Sequence, residues 1–116
     1  NETFVNHFEI LFEESLDLMC VCGTDGYLKM VNPIFSKTLE YTKDELLSTP
    51  FLQFIHPEDI EKTSIEFQKK ISNGSPSINF ENRYISKNGT FVHLQWKAVF
   101  NHTTLRPFFK QNFKPI

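Results

Sequence analysis

SINFENRYISKNGTFVHLQWKAVF, residues 77–100, decides how this chain folds. From Ser77 to Ser86 apolar and polar residues alternate, with Ile78, Phe80, Asn82 and Tyr84 on one side. From Thr90 to Phe100 the alternation returns: Val92, Leu94, Trp96, Ala98 and Phe100 share one side, and Phe91, His93, Gln95 and Lys97 the other. A period of two marks a strand buried on one face. Lys87-Asn88-Gly89 between the two runs is a hairpin turn. The side carrying Trp96 is the core side.

Upstream the pattern changes to helical spacing. His56-Pro57-Glu58-Asp59 is a helix start, with Pro early and acids where the helix dipole favours them. Ile60, Ser64, Phe67 and Ile71 then lie on one face, and Asn73-Gly74 stops the helix. Thr42-Lys43-Asp44-Glu45 reads as a capping box for one short turn ending at Leu47. Asn32-Pro33 starts a helix to about Glu40, with Asn32 as N-cap. Before it, Leu18–Gly23 and Tyr27–Val31 read as a hairpin joined by Thr24-Asp25-Gly26. Thr3 to Ser15 forms an amphipathic helix with Phe4, Phe8, Leu11 and Phe12 in a stripe that Val5 and Ile10 widen. The order predicts an α+β fold, an antiparallel sheet with helices on one face.

The bulk numbers agree with one domain. The chain has 116 residues, enough for a single core, and 13 of them are Phe against only 4 Gly. Lys+Arg 12 against Asp+Glu 14 gives a net charge of −2, without the basic excess of a nucleic-acid binder. The longest basic run, Lys69-Lys70, reads as part of a solvated helix face. No stretch approaches the roughly 18 apolar residues of a membrane span, and no signal peptide is visible. The first residue is Asn1 rather than Met, so a longer parent protein is expected, with an effector domain in the same chain. Cys20 and Cys22 point to the same side of one strand, about 6.5–7 Å apart, at or beyond disulfide reach. A metal would need two more ligands. They read as two buried small hydrophobes of a reduced, cytoplasmic protein.

An ordered set of segments resembles a known family. Asp25-Gly26-Tyr27, Val31-Asn32-Pro33-Ile34-Phe35 and Leu39-Glu40-Tyr41-Thr42 with Glu45-Leu46-Leu47 are similar to the first half of a PAS domain. Phe54-Ile55-His56-Pro57-Glu58-Asp59 resembles its middle. Phe80-Glu81-Asn82-Arg83-Tyr84, Lys87-Asn88-Gly89-Thr90 and Leu94-Gln95-Trp96 resemble its last strands. The resemblance covers Leu16 to Phe100, between a flanking helix (residues 1–15) and a tail (101–116). It implies a five-stranded antiparallel sheet with short helices on one face. It further implies a sensory module serving a kinase, cyclase or regulator, most similar to those preceding bacterial histidine kinases in two-component phosphorelays; a diguanylate cyclase is the alternative parent. The tail lacks the family's usual acidic ending, and Pro107 disfavours a regular inner strand, so the last strand is in question.

The expected pocket lies between sheet and helices, walled by Phe54, Phe67, Phe80, Asn82, Tyr84, Leu94 and Trp96. Asn82 is the informative residue, because a buried amide must be hydrogen-bonded to protein, water or ligand. A small organic ligand and a filled core both stay open. Heme is not expected: of His7, His56, His93 and His102, none lies on the long helix. Ser48-Thr49-Pro50-Phe51-Leu52-Gln53 lacks the reactive cysteine that photoactive flavin relatives carry, which excludes the photochemical adduct. Non-photoactive flavin stacked on Trp96 stays open beside Trp96 as plain core. No catalytic motif is present; helix-dipole matching accounts for Glu58-Asp59. The first helix, through Phe4, Phe8, Leu11 and Phe12, is a candidate homodimer surface, so a dimerisation scaffold without ligand is the other functional class.

Overall fold

The computed structural model describes the backbone of residues 2–74, 77–101 and 106–113, and the side chains of residues 7–74 and 79–98. In chain order the elements are α1 (Glu2–Glu14), β1 (Leu18–Cys22), β2 (Leu28–Val31), α2 (Pro33–Leu39) and α3 (Lys43–Leu47). Two 3-10 turns follow, Phe51–Phe54 and Pro57–Asp59, then α4 (Ile60–Asn73), β3 (Ser77–Ile85), β4 (Phe91–Asn101) and β5 (Arg106–Phe113). The strands hydrogen-bond antiparallel in the order β2-β1-β5-β4-β3.

The predicted hairpins form. Phe80 pairs with Trp96, Asn82 with Leu94 and Tyr84 with Val92, so their side chains share the buried face. Gly26 closes the β1–β2 turn at φ 84°, a region costly for other residues. Gly74 ends α4 at φ 68°, its N–H bonded to the Lys70 carbonyl.

The tail departs from expectation. Pro107 speaks against an inner strand, yet β5 lies between β1 and β4. Pro107 sits opposite Phe100 of β4, whereas β1 pairs only with Phe108 to Gln111. The residue without an N–H therefore falls outside the doubly paired stretch.

Asn32 also differs from its predicted role. Its side chain does not cap α2. Instead Oδ1 accepts from the Met19 N–H (3.0 Å) and Nδ2 donates to the Asp17 carbonyl (2.9 Å), stapling the start of α2 to β1. The capping box at α3 does form: Glu45 N–H donates to Thr42 Oγ1 and Thr42 N–H to Glu45 Oε1. Glu45 also binds Lys87 Nζ at 2.8 Å, and the Lys87 N–H donates to the Leu39 carbonyl, so the helices are tied to the β3–β4 turn.

The core lies between the sheet and α2, α3 and α4. Leu18, Cys20, Cys22, Phe35, Leu39, Leu46, Tyr84 and Leu94 are fully buried in it. Phe35 meets Tyr84 edge-on at 6.1 Å, and Tyr84 leans on Trp96 at 5.7 Å. On α1, Phe12 is buried with Phe8 stacked against it at 5.9 Å, while Ile10 and Leu11 face outward. The Phe4 side chain lies outside the described residues.

Candidate functional site

α4 meets the sheet through a face that overlaps the one its apolar spacing suggests without matching it: Phe67 is buried and Ile71 packs partly buried against the core, as expected. The expected stripe was Ile60, Ser64, Phe67 and Ile71, but the buried residues are Thr63, Phe67 and Lys70. Ile60 is 37% exposed. Lys70, expected on a solvated face, is 4% exposed and lies inside. A lysine tolerates this placement because its methylene stem packs as a hydrocarbon.

Between this helix face and the sheet is a cavity. α4 contributes Thr63, Glu66, Phe67 and Lys70; β3 contributes Phe80, Asn82 and Tyr84; β4 contributes Trp96 and Ala98. Cys20, Cys22, Leu28 and Phe51 complete the wall. The empty space is about 430 Å³ including its open mouth, but only about 30 Å³ is free to the centre of a water molecule. The smaller figure governs what enters without side-chain movement. It corresponds to about two or three water positions, a slot rather than a chamber.

Five of the seven expected wall residues, Phe67, Phe80, Asn82, Tyr84 and Trp96, are brought together there. Two are not. Phe54 packs against Tyr41 at 4.9 Å. Leu94 lines a separate polar groove with Lys62, Glu81 and His93.

Asn82 is satisfied by two side chains. Its Oδ1 accepts from Trp96 Nε1 at 2.7 Å, and its Nδ2 donates to Thr63 Oγ1 at 3.2 Å. The amide thereby couples β4, β3 and α4 in one buried chain, where a low local dielectric strengthens each bond. Burial pushes the Cys22 thiol up to about 12, with Asp25 adding to the rise, and burial likewise raises Cys20 and the Tyr84 phenol well above their usual ranges. These groups stay neutral and behave as apolar wall. Both cysteines are free and buried.

Sequence reasoning missed the ion pair in the polar groove. Asp59, 4% exposed, accepts from Arg83 three times: backbone N–H (2.8 Å), Nε (2.9 Å) and Nη2 (2.8 Å). The Arg83 hydrogen bonds hold the Asp59 carboxyl down to about 2 against a desolvation cost that works the other way. The helix dipole is thus not the main reason for an acid at this position. His56 is punctuation, as expected: its Nδ1 accepts from the Glu58 N–H at 3.1 Å. Among the described residues no group of three or more His, Cys, Asp or Glu side chains is placed to hold a metal ion.

With this geometry in hand, comparison with known proteins gives a consistent answer. The profile of the PAS fold family matches residues 29–107. The probable diguanylate cyclase DgcE of Escherichia coli (strain K12) is 31% identical over 104 residues, 89% of this chain. The chain spans 9% of that relative's length. A domain of the sensory box sensor histidine kinase/response regulator from Geobacter sulfurreducens superposes with a TM-score of 0.81 at 19% identity, covering 97% of this chain and 96% of that one. The PAS domain of an HTR-like protein from Haloarcula marismortui gives 0.78 at 23% identity, with 100% of both chains covered. The chain belongs to the PAS fold family, whose domains are sensory, non-catalytic modules of signal transduction.

Proposed function

We propose that this chain is the cytoplasmic input segment of a bacterial signalling protein, a sensor histidine kinase or similar regulator, and that it responds to a small organic molecule held between α4 and the sheet. The observation that carries this reading is the buried chain Trp96–Asn82–Thr63, which joins α4 to two strands across the slot. A molecule entering there competes with those bonds and shifts α4 against the sheet, which is how binding biases one of two conformations. Neither heme nor photoactive flavin enters the proposal. Among the described residues no helix is long and apolar enough to cross a membrane. The similarity to the E. coli protein favours a diguanylate cyclase as the alternative parent. The test is thermal unfolding of the chain against a panel of small metabolites. A ligand present at about 100 times its dissociation constant adds about 2.7 kcal/mol, a rise of several degrees in Tm. Silence across the whole panel, with no absorbance above the aromatic band in the purified protein, overturns the sensing role.

A second reading, homodimerisation through α1, rests on the outward apolar side chains of that helix. Ile10 is 58% exposed, Leu11 69% and Phe8 38%. Exposed apolar side chains on this helix favour a second copy as their cover. Light scattering is expected to give twice the chain mass for the intact protein and the single mass after deletion of residues 1–15. An unchanged oligomer after deletion removes this reading.

A further inference from the structure

The slot has a neighbour. An open groove of about 200 Å³ lies outside it, between the β1–β2 turn, the first 3-10 turn and α4, with Thr24, Leu52, Ser64 and Gln68 in its wall. Two residues belong to both walls, Phe51 and Phe67. Their rings meet edge-on with centroids 5.1 Å apart. This pair of rings is therefore the partition between a buried space of about 30 Å³ and the open groove. Phe51 is pinned through its backbone, whose N–H donates to the Gly26 carbonyl at 2.9 Å. Phe67 stands on α4, and a helical phenylalanine has two χ1 wells, at about 180° and about −60°, so its ring swings without backbone movement. The slot has no room for a ring and the groove has, so the swing is outward.

Opening changes what the slot admits. A ring that turns out leaves a ring-sized space behind it, continuous with the slot on one side and the groove on the other. The inner end is apolar, with Cys20, Cys22, Leu28, Trp96 and Ala98. The polar groups beside them are already engaged: Asn82 with Trp96 and Thr63, Lys70 with Glu66. A charged body entering there loses its water and gains no counter-charge. In the groove the Asp25 carboxylate is paired with Lys29 at 2.8 Å, which leaves the hydroxyls of Thr24 and Ser64 and the Gln68 amide as the polar end. Resting on the reading of this domain as a small-molecule sensor, we propose that Phe51 and Phe67 form a gate, and that the ligand it admits is an uncharged molecule of one aromatic ring bearing a hydroxyl group. The ligand ring takes the place that the Phe67 ring leaves, and its hydroxyl stays in the groove. Binding then holds Phe67, and α4 with it, in the open arrangement.

Trp96 is the only tryptophan in the chain and lines the slot, so its emission reports occupancy. The experiment mixes the 116-residue chain with benzyl alcohol by stopped flow, with benzylamine and benzoate as analogues that are charged at neutral pH. Benzyl alcohol is expected to give a saturable change, and each charged analogue to bind more weakly by about tenfold or more. A site competent only while the rings are parted has its affinity lowered by the fraction of time it is open. Phe67→Ala removes the partition and is expected to take up benzyl alcohol faster and more tightly, by about tenfold. Ser64→Phe crowds the groove into which the ring turns and is expected to slow uptake by about tenfold. Ser64 is half-buried at the groove, so this variant decides the matter should Phe67→Ala fail to fold. Uptake rates unchanged by these substitutions overturn the gate. A charged analogue binding as tightly as the alcohol overturns the ligand class. Wild type silent to benzyl alcohol overturns the proposal even where Phe67→Ala binds it, since truncation has then made the cavity; only silence across the wider metabolite panel removes the sensing role with it.

Discussion

Asp59→Ala is expected to destabilise the domain by about 3 kcal/mol, measured by urea unfolding at pH 7. The carboxylate accepts three hydrogen bonds from Arg83, one from the backbone of β3. Its removal strands a backbone N–H and two guanidinium donors beside a packed strand, and such groups cost more unpaired than the pair contributes. The pH dependence follows from the same contacts. In the folded chain the Asp59 carboxyl lies at about 2, below its ordinary 3.8. A group depressed by folding stabilises above its unfolded value and loses that contribution as pH falls through its folded value. Asp59 thus contributes about 2 kcal/mol near neutrality, and about half of that is gone by pH 3. The stability gap between wild type and Asp59→Asn should narrow by about 1 kcal/mol between about pH 7 and pH 3. A gap that does not change across this range shows that the pair does not set the acid limb.

Phe35→Ala is the larger effect, about 4 kcal/mol. Phe35 is completely buried where α2 crosses the sheet, edge-on to Tyr84. Truncation opens a hole bounded by fully buried neighbours that have little room to relax, so the cavity cost adds to the lost transfer energy. Against a total of about 5–15 kcal/mol for a domain, this leaves a chain near its unfolding threshold, with a Tm lower by about 10 °C or more. Circular dichroism melts decide it. A fall of only a few degrees means that Ile34 or Leu39 has moved into the space.

The strand pair from Ser77 to Phe100, the Thr42–Glu45 capping box and the Asp25-Gly26 turn were legible because each is local. Alternation, a hydroxyl three residues before a carboxylate, and a glycine at a turn need no distant partner to be read. Thr63 and Lys70 on the buried face of α4 were missed for a related reason. Ile60, Phe67 and Ile71 outweigh Thr63 and Lys70 on any hydropathy count, yet the sheet supplies a buried amide, Asn82, that needs a polar partner on the helix. That demand arises in β3 and is met 19 residues earlier. The Asp59–Arg83 pair spans 24 residues and has no local signature either. Asn82 itself was legible, as a polar residue on an apolar stripe; Trp96 and Thr63 as its partners were not. Phe54 was misplaced because large apolar side chains near a pocket look alike in sequence, and only the ring contact with Tyr41 separates core from wall.

The position of β5 has a temporal meaning. It is the last strand in sequence and sits in the middle of the sheet, between β1 and β4. Two hairpins, β1–β2 and β3–β4, can each form early, but no ladder joins them until residues 106–113 have left the ribosome. Until then the two hairpins are linked only through the helices, each with an unprotected edge, and closure of the sheet is one long-range event. Whatever slows translation or captures the chain just before residue 106 holds it in that open state, where pairing with another chain competes with completion of its own sheet.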